Sequence, residues 1–158
     1  MNLRLLFFIL AFSANSTLNA QEHKGEMHQH DHHKNEIAAG YSSIYLLDEK
    51  EFASGVHVHY TRNISHSGFG LGLGFERIFN HNHTNLGLLF SYRVKEKLAI
   101  GLSPGINWEE DKVYRFAMHL EAAYEFEIGD FHIGPVADYA IDSEHHHISF
   151  GIHLGYGF

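Results

Sequence analysis

The sequence predicts an all-β fold: an eight-stranded antiparallel up-and-down transmembrane β-barrel behind a disordered His-rich N-terminal segment. Three observations carry this. The final stretch, His147 to Phe158, sets Ile148, Phe150, Ile152, Leu154, Tyr156 and Phe158 against Ser149, Gly151, His153, Gly155 and Gly157, a strict period of two. The same alternation recurs in eight segments after residue 36. The 15 Gly and 14% aromatic residues, beside only 2 Pro, suit closely packed strands rather than helices.

Residues 1–20 read as a secretory signal peptide. A short region ending at Arg4 precedes the apolar run Leu5 to Phe12, and small residues lead to a cleavage point after Ala20. The run is too short to span a bilayer as a helix. Residues 21–36 have no apolar period and nothing to bury, so they read as disordered. They carry His23, His28, His30, His32 and His33, spaced so that a flexible chain can wrap Zn²⁺, Cu²⁺ or Ni²⁺. With cleavage after Ala20, His23 becomes the third residue. A free amine, two backbone nitrogens and that imidazole then form a square-planar nitrogen set suited to Cu²⁺ or Ni²⁺.

The barrel is expected over residues 37–158. Its segments are 37–47, 52–62, 69–79, 85–94, 98–108, 113–127, 131–142 and 147–158. The third is the most regular, with Phe69, Leu71, Leu73 and Phe75 against Gly70, Gly72, Gly74 and Glu76. Pro104 cannot donate to a ladder, so a bulge or local break is expected in the fifth. Segments of this length fit tilted strands crossing a bilayer. An even number puts both ends of the barrel on one side, the periplasm for an outer-membrane barrel. Arg62–Gly68, Lys95–Lys97 and Ile128–Asp130 are then periplasmic turns. Asp48–Glu51, Asn80–Thr84, Glu109–Lys112 and Ser143–His146 are then surface loops. Aromatic residues at strand ends fall where interfacial girdles belong. A soluble lipocalin-like barrel would need a bulky apolar interior, whereas the inward faces here are Gly, His and acid.

On this architecture, and on the terminal Leu154-Gly-Tyr-Gly-Phe158, the chain resembles the small eight-stranded, porin-like outer-membrane β-barrel proteins of Gram-negative bacteria. The resemblance implies outer-membrane lipid as surroundings and the barrel-insertion machinery as a partner that reads the C-terminal strand. It does not fix a function.

Charge narrows the functions. With 11 Lys plus Arg against 19 Asp plus Glu, a nucleic-acid partner is excluded. The absence of Cys removes disulfides and thiolate metal sites. The unusual count is 16 His. Beyond the tail, His81 and His83 lie in one surface loop, and His145, His146 and His147 close another. These five imidazoles are expected at one end of the barrel, where they can share transition metal ions. Inward positions are His57, His59, Glu76, Arg93, Arg115, His119, Glu121, Glu125, His132, Asp138 and His153. They form either an ion-paired plug or, where His57, His119 and His153 meet Glu121, a buried metal site.

A non-catalytic barrel that handles Zn, Cu or Ni through tail and loop histidines is the expected function, with no cofactor required. The alternatives are a structural or surface-interaction barrel, a narrow small-solute channel, and a lipid-modifying enzyme. The last would use His147-Ile-Ser149, but that pair faces inward and no acid follows to orient the base.

Overall fold

The structure, a computed structural model, describes residues 33–64, 67–79, 82–109 and 113–158. The expected signal peptide, the tail histidines His23, His28, His30 and His32, and His81 lie outside the described residues. Among those described there are nine strands: β1 (Asn35–Leu46), β2 (Glu51–Ile64), β3 (Phe69–Ile78), β4 (His83–Lys95), β5 (Leu98–Trp108), β6 (Tyr114–Tyr124), β7 (Phe126–Ile128), β8 (Phe131–Ile141) and β9 (His146–Gly157). All neighbours pair antiparallel, and β6 also pairs with β8, so the sheet closes on itself.

Strands β6 and β7 are two pieces of one stave, which makes eight staves in all. Both pair with β8 in one register, through Ala123↔Val136 and Phe126↔Ile133. Continued between these pairs, that register sets Tyr124 opposite Pro135, which has no N–H to give the ladder, and the stave breaks there. The break expected at Pro104 is also present. Pairing between β4 and β5 runs to Gly87↔Gly105 and resumes at Phe90↔Leu102, leaving Pro104 unpaired on that side. Strand β1 begins at Asn35, so residues assigned to the tail contribute to the first stave.

The outer wall is apolar along every stave: Leu88 is 52% exposed, Phe116 66% and Ile152 63%. Among the described residues, no helix is long and apolar enough to cross a membrane. The lumen is polar, as its Gly, His and acid content requires, with one correction. At the end carrying the turns after β1 and β3, Ile44, Leu46, Ala53 and Ile78 form a small buried apolar cluster. They occupy inward positions of β1, β2 and β3. Glycines elsewhere make room for rings. A Cβ on Gly40 would collide with the His57 imidazole, and one on Gly155 with that of His132.

Candidate metal centre in the barrel lumen

The end of the barrel carrying the β1–β2, β3–β4, β5–β6 and β8–β9 connections is the loop end; the other, with both termini of the barrel, is the turn end. At the loop end Asp142 accepts hydrogen bonds from Asn107 Nδ2 at 2.7 Å and from the backbone N–H groups of Glu144 and His145, each at 2.8 Å. Burial pushes its carboxyl up, but these bonds outweigh it and hold the group below the usual carboxylate range. Asn107 in turn accepts from Asn85 Nδ2 at 2.6 Å. Arg115 reaches Glu144 at 2.7 Å and Glu109 at 3.4 Å. His145 lies 3.1 Å from Glu49 and 3.3 Å from Glu109, and His83 Nδ1 lies 3.6 Å from Glu109.

From there a file of imidazoles enters the lumen. The ring of His83 is 6.3 Å from that of His145 and 6.2 Å from that of His147, which is 5.8 Å from that of His119. Around the inner two, four staves converge. Glu76 comes from β3, His119 from β6, Asp138 from β8 and His147 from β9. His119 Nδ1 lies 3.5 Å from Glu76 and 3.4 Å from Asp138, while His147 Nε2 lies 3.4 Å from Glu76. One ligand atom from each of the four falls within 4.8 Å of all the others. A cavity of about 30 Å³ beside them, lined also by His57, His59 and Glu121, has room for water.

Towards the turn end, His59 lies 3.7 Å from Glu121 and stacks on His57 at 5.0 Å, with His153 6.1 Å from His57. His153 and His132 share a 2.9 Å Nε2···Nε2 hydrogen bond. His132 lies 3.7 Å from Glu36 and 3.8 Å from Glu125, and Arg93 closes the group by pairing with Glu125 at 2.5 Å. This lower group is the ion-paired plug that the sequence offered as one account of the inward polar residues. The upper quartet differs: among the described residues its carboxylates pair with imidazoles alone, with no Lys or Arg.

Two loop assignments are corrected. His83 and His147 are 5% and 2% exposed and project into the lumen: β4 begins at His83, inside the expected loop, and His147 takes the inward face that alternation gives the first residue of its segment. Of the triplet, only His145 stays at the mouth inside the wall. His146 alternates outward and is held through its backbone N–H to Asp48 at 2.7 Å. His33 sits at the turn end, 3.3 Å from Asp130, far along the chain from the loops. The expected meeting of His57, His119 and His153 with Glu121 is divided. His59, Glu121 and His153 form one group, and His119 belongs to the quartet. Alternation alone would put Glu76, His119, Asp138 and His147 on inward faces. Their meeting depends on register across β3, β6, β8 and β9, which local periodicity does not supply.

No protein-family model and no curated protein matches the chain. Solved structures do. Neisserial surface protein A superposes with a TM-score of 0.60 at 7% identity, covering 78% of this chain and 96% of that one. Ail, the attachment invasion locus protein of Yersinia pestis, gives 0.55 at 13%, covering 80% and 99%. A de novo designed transmembrane β-barrel gives 0.55 at 16%, covering 78% and 95%. The chain therefore has the fold of the small eight-stranded outer-membrane β-barrels. At these identities the likeness extends to the fold alone.

Proposed function

We propose that this chain is a non-enzymatic outer-membrane barrel that binds and hands on divalent transition-metal ions, with its loop end outside the cell and its N-terminal histidines in the periplasm. The observation that carries the reading is the file of imidazoles from His145 at the mouth through His83 and His147 to His119, interleaved with carboxylates. A plug built only for packing is served by Arg–carboxylate pairs, as at Arg93–Glu125. Neutral imidazole is the side chain that adds affinity for Zn²⁺, Ni²⁺ or Cu²⁺. A second reading, a structural barrel with a polar plug, is favoured by the Asn85–Asn107–Asp142 hydrogen-bond chain and by the Arg93–Glu125 pair in the lower group. An enzyme at His147 and Ser149 is disfavoured because both are buried in the lumen, away from lipid.

Calorimetric titration of the refolded full-length chain with each ion tests the reading. Binding tighter than roughly tens of micromolar for at least one ion supports it, and weaker binding for all three contradicts it.

A further inference from the structure

Building on the metal-handling reading, we propose that Glu76, His119, Asp138 and His147 form a resident binding site for a divalent borderline cation of the Zn²⁺ class. The ion bridges opposite walls of the barrel.

The first support is geometry. The separations His119 Nδ1–Glu76 Oε2, His119 Nδ1–Asp138 Oδ2 and His147 Nε2–Glu76 Oε1 are 3.5, 3.4 and 3.4 Å, and one ligand atom from each of the four lies within 4.8 Å of the others. Four ligands at tetrahedral Zn–N and Zn–O bond lengths of about 2.0–2.1 Å stand about 3.3–3.4 Å apart. The second is burial. Glu76 Oε1, Asp138 Oδ2 and His147 Nε2, which face the site, are buried atoms without a hydrogen-bond partner. The side chains of His119, His147 and Asp138 retain 8, 3 and 9% of their exposure. Polar atoms so deeply placed are costly when unpaired.

Charge is the third. Glu76 and Asp138 bring two carboxylates into a low-dielectric lumen, and among the described residues no Lys or Arg pairs with them. A divalent cation cancels both and satisfies the imidazoles together. The other clusters lack this combination. The lower group of Glu36, Glu125, His132 and His153 is already closed by Arg93 and by the His132–His153 bond. The mouth group around Glu109 holds Arg115, which competes with a cation. Ligand type limits the ion further. Two imidazoles and two carboxylates suit Zn²⁺ and its spectroscopic substitute Co²⁺, and they offer no soft sulfur for Cu⁺.

The test separates this site from the tail and mouth histidines. In the full-length chain His23, His28, His30, His32, His33, His81, His145 and His146 are all changed to Asn, and the folded barrel is titrated with Co²⁺. We expect one equivalent to remain bound, with the intense visible absorption of tetrahedral Co²⁺, displaced stoichiometrically by Zn²⁺. Adding His119→Gln and Asp138→Asn removes that signal and weakens Zn²⁺ binding by about 100-fold or more. Circular dichroism confirms that this variant retains its sheet, and a second variant, Glu76→Gln, guards against misfolding of the first. Loss of the tetrahedral signal in the surface variant, while the unmodified chain still binds, overturns the luminal site and leaves the broader reading standing. Absence of binding by the unmodified chain overturns both. Retention of the signal in both quartet variants overturns the ligand assignment.

Discussion

Replacing Arg93 by Met strips the turn-end cluster of the cation that pairs with Glu125. Glu125, whose side chain is 4% exposed, accepts from Arg93 at 2.5 Å and otherwise faces His132 at 3.8 Å and His153 at 4.0 Å, with Glu36 beyond His132. Two estimates of the cost agree. Opposite charges about 4 Å apart attract by about 4 kcal/mol at an effective dielectric of 20. Breaking a buried pair by removing one partner costs about 3–5 kcal/mol. Arg93→Met should therefore destabilise the barrel by about 3–5 kcal/mol at neutral pH. The double variant Arg93→Met/Glu125→Gln should recover most of this, because no buried charge is left unpaired. Urea unfolding in lipid vesicles, followed by tryptophan fluorescence from Trp108, gives all the values for a double-mutant cycle. A loss below about 1 kcal/mol in the single variant would mean that His132 and His153 satisfy Glu125 without Arg93, and the plug as described would be wrong.

Glycine positions give a sharper packing test. A Cβ at Gly72 meets the Tyr60 carbonyl oxygen of the neighbouring stave, whereas one at Gly74 makes ordinary contacts with the His59 ring at 3.5 Å and Ser103 Oγ at 3.8 Å. Gly72→Ala should cost about 1–3 kcal/mol and Gly74→Ala less than about 0.5 kcal/mol in the same unfolding assay. On the outer wall, Leu88→Arg should cost about 2–4 kcal/mol in bilayers, near the middle of β4, and a negligible change would argue that this face does not meet lipid. Asp142 has its pKa held down in the folded chain, so its contribution is present above the unfolded carboxyl value of about 3.9 and lost as pH falls through the folded value. Asp142→Asn should then be about 1–2 kcal/mol less stable than the parent at pH 7, the gap closing as pH falls through the folded carboxyl value. A gap independent of pH would place the cost in geometry rather than charge.

Much of the fold was legible because alternation is a local rule: each stave states its own inward and outward faces, and eight of them leave little choice of architecture. The inward list held as well, including Arg93, Glu125 and His119. What stayed hidden was non-local. Arg93 finds Glu125 across 32 residues, and nothing in either segment names the other. Boundaries were the second weakness. Starting β4 at His83 rather than Asn85 moves one histidine from a solvated loop into the lumen. Pro135 carried a readable signal for the split between β6 and β7, the same missing N–H that made Pro104 a marker in β5. The quartet shows both limits together: every member lies on a predictable face, and only the closed register brings the four to one point.

The claim on which the account turns is that the lumen itself holds a metal ion. Crystals of the full-length barrel grown with Zn²⁺, measured on both sides of the zinc absorption edge, test it directly. An anomalous peak between Glu76, His119, Asp138 and His147 is the predicted result. Peaks confined to the mouth and termini, with none inside the wall, would contradict it.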